Sequence, residues 1–230
     1  MRYLILVIFS VFTIQSAQSQ IYEVGFFLGG SNFIGDVGAT NYISPNNPAF
    51  GGILKWNRSP RHSFRASAIF SKLEGMDSKS DDPRRIARGY SFENNIVEFG
   101  VGMEFTFFDF DLHSETSKST PYLYTGITTA KHDNFFFDNN GVLTSENTNS
   151  WAYGIPIVLG FKTTTADDMI LGFEIGARYT FSDEIDGSMP DSDYRQLHNS
   201  FGNTNSNDWY VFTGITLTFT FGKRPCYCNF

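Results

Sequence analysis

The sequence predicts an all-β protein, an eight-stranded antiparallel transmembrane β-barrel of the outer membrane. Three observations predict it: the chain opens with an export signal, eight segments alternate apolar with polar residues, and the connections between them alternate between short and long. Outer-membrane barrels have an even number of strands, tight periplasmic turns and longer external loops. Residues 20–222 form this barrel as one domain.

The N-terminal segment, residues 1–19, predicts export. After Arg2 an apolar run extends from Leu4 to Phe12, and a small-x-small cleavage pattern follows at Ala17-Gln18-Ser19. The run is too short to cross a bilayer as a helix. It also lacks the polar alternation that a first strand would need. We therefore expect a signal peptide over 1–19 and a mature chain that begins at Gln20.

Composition limits the class of protein. Aromatic residues make up 17% of the chain, charged residues only 18%, and the net charge is -7. A soluble acidic protein must keep apolar surface covered, so this balance is unusual for one, whereas lipid would cover such a surface in a barrel. No later stretch approaches the ~18 consecutive apolar residues of a membrane helix. Acidity without a cluster of Lys and Arg argues against nucleic acid as a partner.

Period-two alternation, typical of a strand with one apolar and one polar face, identifies the strands. In segment 169–181 one face is apolar, whereas the other carries Gly172, Glu174, Gly176 and Arg178. A helix would bring Glu174 and Arg178 beside the apolar residues. The alternation is strongest in 97–107, 151–161, 169–181 and 209–221. In chain order the predicted strands are 21–28, 50–56, 62–71, 97–107, 122–130, 151–161, 169–181 and 209–221.

The connections indicate which end of the barrel faces outward. Those at 57–61, 109–120 and 163–168 are the shorter set, and we expect them in the periplasm. The others are long, polar and acidic, and they are rich in the Asn, Asp, Ser and Gly residues that form turns and loops. We expect the long connections, at 35–48, 72–91, 131–150 and 182–208, to face the exterior.

Charged residues on the second face of the strands distinguish a barrel from a soluble β-sandwich. In a sandwich the outward face meets water and should be generally polar. Here that face is rich in Gly and Thr with embedded charges, which fits the polar lumen of a small barrel. An eight-stranded barrel is filled by its side chains, so a salt-bridged plug is favoured over an ion path or a diffusion pore. The predicted lumen charge network comprises Glu23, Lys55, Arg65, Glu98, Glu104, Glu174 and Arg178.

No motif in the chain predicts a catalytic residue, a cofactor-binding residue or a metal site. The four histidines, His62, His113, His132 and His198, are scattered, and no nucleophile signature accompanies them. Acidic residues in two loops offer oxygen ligands, but neither group has the spacing of a calcium loop. We interpret both groups, Asp133, Asp138, Asn139 and Asn140 in one and Asp186, Asp191 and Asp193 in the other, as solvated loop residues.

The chain continues past its last strand as a C-terminal extension, 223–230, which we expect in the periplasm. Pro225 ends strand pairing because it lacks a donor, and Lys223 and Arg224 make the segment basic. Cys226 and Cys228 are the two cysteines of the chain, in a compartment where thiols oxidise. A bond between them would be strained. An intermolecular disulfide through Cys226 or Cys228 is the prediction, with a free or strained local pair as the alternative.

Motifs in the first third of the chain carry a family resemblance. They are Gly29-Gly30-Ser31-Asn32-Phe33-Ile34-Gly35-Asp36, Pro48-Ala49-Phe50-Gly51-Gly52, Lys55-Trp56-Asn57 and Arg61-His62-Ser63-Phe64. Through them the sequence resembles the PorG family, small outer-membrane barrels of the type IX secretion machinery of Bacteroidota. The hairpin pattern and the Cys-bearing tail agree over the remainder. The resemblance implies a non-enzymatic component that associates with a periplasmic ring made by the lipoprotein PorK and its partner PorN.

The expected partner contacts follow from this reading. The turn that bears Lys55, Asn57, Arg58 and Arg61 is short, cationic and within the family-like segment, so we expect it to contact the periplasmic partner together with Lys223, Arg224, Cys226 and Cys228. The resulting hypothesis is an anchor for the secretion ring in the cell outer membrane. The alternatives are a surface barrel whose acidic external loops serve adhesion or ligand binding and, ranked lowest, a lipid-modifying enzyme.

Overall fold

The computed structural model describes residues 21–112, 117–166, 168–203 and 206–222, and in these ranges eight antiparallel strands form a closed ring. Each strand pairs with the next, and the first pairs with the last to close the barrel. The fold class predicted from alternation is therefore confirmed. The strands are β1 (Ile21–Ile34), β2 (Asn47–Ser59), β3 (His62–Met76), β4 (Ser91–Thr106), β5 (Ser119–Phe137), β6 (Leu143–Ala166), β7 (Met169–Thr180) and β8 (Trp209–Phe221).

The two ends of the barrel differ in their connections. At one end, called here the turn end, lie the connections at 60–61, 107–118 and 167–168 together with the first residue of β1 and the last of β8. At the opposite loop end lie the connections at 35–46, 77–90, 138–142 and 181–208. These contain a 3-10 helix (Asp77–Lys79), α1 (Pro83–Arg88) and α2 (Asp193–Asn199). None of the helices in the described residues is long and apolar enough to cross a bilayer.

Several strands extend further toward the loop end than predicted, and one predicted loop is wrong. Residues 131–150 are mostly strand, because β5 and β6 continue as a hairpin that turns at 138–142. A β-bulge between Asp133 and Phe135 shifts the alternation by one residue. Beyond it Phe135 and Phe137 are buried. The strand prediction relied on an unbroken alternation of inward and outward residues, and the bulge interrupts it.

The outer wall of the barrel is apolar. Along β7 the exposed positions Leu171 and Phe173 alternate with the buried positions Gly172, Glu174 and Gly176. At the turn end Tyr22 stacks on Phe221 with ring centroids 5.8 Å apart, and Trp56 packs against Phe64 at 5.4 Å. A closed barrel leaves no unpaired strand edge, and an apolar wall of this kind is stable in lipid. The protein is an outer-membrane β-barrel.

An apolar cluster fills the lumen toward the loop end. Phe27, Ile69, Leu73 and Phe212 are fully or almost fully buried in it. Val37 and Ile185, from two of the loops, belong to the same cluster. The loops thus pack down onto the strands and close the barrel at the loop end, so the polar part of the lumen lies nearer the turn end.

Candidate functional site: the lumen charge network

Strand alternation positions every charged side chain of the lumen. The structure places all seven predicted residues inside the barrel, each at most 4% exposed: Glu23, Lys55, Arg65, Glu98, Glu104, Glu174 and Arg178. An eighth, Lys162, lies with them at 2% exposure and was missed. The predicted strand ended at Phe161, which faces outward. Extending its alternation by one residue points Lys162 inward, so the signal was present.

The group nearest the turn end is built around Glu104. Lys162 Nζ lies 2.6 Å from Glu104 Oε1, and Lys55 Nζ lies 2.7 Å from Glu104 Oε2. Glu23 adjoins this group, with its Oε2 3.9 Å from Lys55 Nζ. Asn57 Nδ2 and Thr218 Oγ1 donate to Glu23 at 2.8 and 2.9 Å. One carboxylate therefore joins two ammonium groups from different strands.

A second group joins Arg65 of β3 to Glu174 of β7 across the lumen. The guanidinium donates two hydrogen bonds to the carboxylate, at 2.7 and 2.9 Å. Tyr122 Oη donates a third, at 2.7 Å. The Tyr122 ring covers Gly160, where a Cβ atom would clash with the ring. The absence of a side chain at position 160 therefore leaves the space that the Tyr122 ring occupies.

A third group lies next to the apolar cluster. Arg178 Nε lies 3.2 and 3.3 Å from the two carboxylate oxygens of Glu98, and Tyr210 Oη donates to Glu98 at 2.6 Å. Arg178 also donates to the carbonyl of Gly176 at 2.6 Å, and its guanidinium lies 4.5 Å from the Phe212 ring centroid. Most polar atoms of the pair are thus satisfied within the barrel.

The charges of the lumen balance. Within the described strands four glutamates face four cations: Glu23, Glu98, Glu104 and Glu174 on one side, and Lys55, Arg65, Lys162 and Arg178 on the other. Burial of an unpaired charge is costly. Each of these carboxylates accordingly lies near a cation or accepts hydrogen bonds from neighbouring side chains. The pairs span different strands and cross-brace the barrel. These buried and paired side chains occupy the lumen, as the predicted salt-bridged plug would.

The partner contacts predicted for the turn end differ in exposure in the structure. The assignment of Lys55 to a partner surface is wrong, because its side chain is buried and paired with Glu104. Asn57 is half-buried and bonded to Glu23. Arg58 and Arg61 are exposed, and Arg61 pairs with Asp109. The signal peptide 1–19 and the extension 223–230, with Lys223, Arg224, Cys226 and Cys228, lie outside the described residues.

The loop end contains an arrangement that sequence reasoning missed. Asp186 was interpreted as a solvated loop residue, but it is fully buried, and its Oδ2 accepts hydrogen bonds from the backbone N–H groups of Asp36 and Val37. Asp191 and Asp193 are exposed, as expected. Asp186 follows a polar stretch with no periodicity, so its burial depends on long-range packing. In the described residues no group of three or more His, Cys, Asp or Glu side chains is arranged to hold a metal ion.

Comparisons with known proteins found a matching family model and similar solved structures. A family model described as a domain of unknown function (DUF6089) matches residues 2–230. No curated protein matches the chain. Similar solved structures include a major outer membrane protein from Thermus thermophilus, 12% identical with a TM-score of 0.47, covering 88% of this chain and 99% of that one. Another is Ail of Yersinia pestis, solved with the heparin analogue sucrose octasulfate, 9% identical with a TM-score of 0.45, covering 89% and 99%. The N-terminal β-barrel domain of Pseudomonas aeruginosa OprF is 11% identical with a TM-score of 0.44, covering 89% and 98%.

Proposed function

The chain belongs to the DUF6089 family, and from that premise we propose that it is a non-enzymatic outer-membrane anchor for a periplasmic protein assembly. The resemblance to the PorG family makes the periplasmic ring of the type IX secretion apparatus, formed by PorK and PorN, the proposed partner. The observation that carries the proposal is the plugged lumen. A barrel whose interior is occupied by its own ion pairs is better built to hold a partner than to conduct a solute.

The surface proposed for the partner is the turn end. Both ends of the barrel domain emerge there, so the extension 223–230 starts from the same side as the turn at 60–61. Arg58 and Arg61 are exposed on this side. Charged groups at the rim of an interface steer association and fix its register. The partner surface should therefore be complementary and acidic at this point.

Affinity purification from native membranes tests the proposal. The tagged full-length chain should recover the periplasmic ring proteins. The charge-reversal variant Arg58→Glu/Arg61→Glu should recover several-fold less, because the rim then repels an acidic partner. The matched control is Lys79→Glu/Arg84→Glu, which reverses two exposed cations at the loop end. Equal recovery by the turn-end variant and wild type, or a loss confined to the loop-end variant, would contradict the assigned surface.

A second candidate function is recognition at the cell surface through the external loops. It is favoured by the order of those loops: Arg88 of α1 donates to the carbonyl of Asp36 at 2.7 Å and to the carboxylate of Asp77 at 2.8 and 3.0 Å. Arg195 of α2 lies 2.7 Å from Glu146 of the β5–β6 hairpin. Such loops present a fixed surface. Deletion of α2 that abolishes adhesion but leaves secretion intact would favour this function over the anchor.

A further inference from the structure

Four carboxyl groups lie together under the external loops, and they are called here the acidic cluster: Asp36, Asp183, Asp186 and Asp208. All four are buried. Asp36 follows β1, Asp183 and Asp186 follow β7, and Asp208 precedes β8. The cluster therefore joins three segments of chain that are distant in sequence.

Backbone N–H groups hold the cluster in place. Asp186 accepts from Asp36 N at 2.8 Å and from Ser188 N at 2.9 Å. Asp208 Oδ2 accepts from Ile185 N at 3.0 Å, and Asp36 Oδ2 accepts from Asn203 N at 2.9 Å. These bonds fix the directions of three of the four carboxyl groups, those of Asp36, Asp186 and Asp208, but they add no positive charge.

The charged groups around the cluster do not balance it. Arg85 of α1 is the nearest cation, with a guanidinium nitrogen 3.9 Å from Asp36 Oδ1. Arg88 bonds to the carboxylate of Asp77 and to the main-chain carbonyl of Asp36. Glu184 adds a further carboxyl group beside Asp183. In the lumen network four carboxylates face four cations, whereas the four carboxyl groups of the acidic cluster face one guanidinium at 3.9 Å.

Two oxygen atoms of the cluster are buried with no hydrogen-bond partner in the described part of the chain, Asp183 Oδ2 and Asp208 Oδ1. A carboxylate only accepts hydrogen bonds, whereas a carboxylic acid has an O–H donor. A proton on each group would remove a buried charge that no donor in the described residues stabilises at these two oxygens.

We propose that the acidic cluster is a proton-binding site that holds the external loops closed over the barrel, with the protons on Asp183 and Asp208. Loss of these protons leaves like charges buried side by side, and the loops separate. The proposal goes beyond the anchoring function and does not depend on it. The ligand is the proton itself.

Electrostatics gives the direction of the pH dependence. Burial, then the neighbouring carboxyl groups of Asp186 and Asp36, raises the pKa of Asp183 from 3.8 to about 8. Burial and the same neighbours, with Asp183, raise the pKa of Asp208 well above its ordinary value. The pKa of Asp186 is also raised, first by burial. A carboxyl group with a raised folded-state pKa binds more protons folded than unfolded, so stability falls as pH rises between the two values. For Asp183 that window runs from 3.8 to about 8.

Hydrogen–deuterium exchange of the full-length protein in lipid nanodiscs tests the proposal. The amides to follow are those of Asp36, Val37, Ile185 and Ser188, which donate to the cluster. After correction for the intrinsic rate, their protection in wild type should be at least about tenfold lower at about pH 9 than at about pH 6. In the variant Asp183→Asn/Asp208→Asn, which keeps the shape and supplies donors without charge, protection should change with pH much less than in wild type. Asp193→Asn removes an exposed charge from the same connection and should behave as wild type.

Infrared spectroscopy of wild type supplies a measurement that does not depend on the variant folding. A carbonyl band of protonated carboxyl groups should be present at about pH 6 and lost at about pH 9. Equal protection at both pH values, an undiminished pH dependence in the double asparagine variant, or the absence of the carboxylic acid band would each overturn the proposal. Restoration of wild-type protection at high pH by added calcium alone would also overturn it, because the carboxylates would then serve a cation.

Discussion

Arg65 and Glu174 illustrate at the scale of single residues how the lumen is stabilised. Each is buried, and they are joined by two hydrogen bonds. Removing one partner of a buried ion pair leaves an uncompensated charge, whereas replacing both partners with apolar residues leaves no buried charge to compensate. We therefore expect Arg65→Met to lower the free energy of unfolding by about 3–5 kcal/mol. Urea unfolding in lipid vesicles measures it.

The control for this pair is on the surface. Arg61 pairs with Asp109 where both side chains are exposed, and such pairs contribute about 0–1 kcal/mol. Arg61→Met should therefore change the unfolding free energy by less than about 1 kcal/mol. The double variant Arg65→Met/Glu174→Met should recover most of the loss. If Arg65→Met is as stable as wild type, the ion pair does not brace the lumen.

Gly160 is the second residue at which the structure makes a sharp prediction. A Cβ atom there would meet the Tyr122 ring, which is buried and tied to Glu174. Gly160→Ala should push the ring aside and lower the unfolding free energy by roughly 1–3 kcal/mol, as overpacking does. Gly52 also lies within a strand, but a Cβ atom there meets nothing within 4 Å. Gly52→Ala should be neutral within about 0.5 kcal/mol, and an equal loss in both variants would disprove the steric argument.

At this scale, the sequence predicted the location of a side chain correctly where the residue lies in a regular strand alternation. Glu104, Glu174 and Arg178 were placed in the lumen by their position between outward-facing apolar residues, and the structure has them there. Lys55 received two roles because alternation placed it inward while its nearness to a turn suggested a surface. Asp186 was not predicted to be buried, because contacts between separate loops leave no local pattern.

At the scale of elements, the strands were predictable over their membrane-facing parts and less so beyond them. In the bilayer every outward position must be apolar, so alternation is enforced. Outside it the β5–β6 hairpin is free to mix polar residues and a bulge. Its order comes instead from packing: Tyr90 stacks on Phe137 with ring centroids 4.1 Å apart. That contact joins positions far apart in the chain, and the sequence alone does not disclose it.

The turn between β2 and β3 carries a prediction about orientation. If the turn end is periplasmic, Ser59→Cys in a Cys226→Ser/Cys228→Ser background should resist a membrane-impermeant thiol reagent in intact cells. Asn139→Cys, on the exposed tip of the β5–β6 hairpin, should react in the same cells. Permeabilising the outer membrane should then expose Ser59→Cys to the reagent. Labelling at position 59 and protection at position 139 in intact cells would mean that the barrel has the opposite orientation in the membrane.

At the scale of the whole molecule, the barrel begins and ends on the same side of the membrane. The C-terminal extension therefore starts from the proposed partner face. We expect Cys226 or Cys228 to form a disulfide with another protein. Non-reducing electrophoresis of membranes lysed with thiols blocked should show a heavier band. Reduction, or the Cys226→Ser/Cys228→Ser variant, should remove that band, whereas a monomer under every condition would exclude the cross-link.

Closure of the ring depends on the strand that is last in the chain. The side chains of Thr218 and Glu23 share a hydrogen bond across 195 residues of chain, so β1, the first strand to emerge during synthesis, waits for the last before its second edge is paired. Until then the chain has two open edges, which are templates for aggregation. Contacts at such separation form late and slowly. A chain truncated within β8 should therefore keep both edges unpaired, and we expect it to aggregate more readily than the full-length barrel.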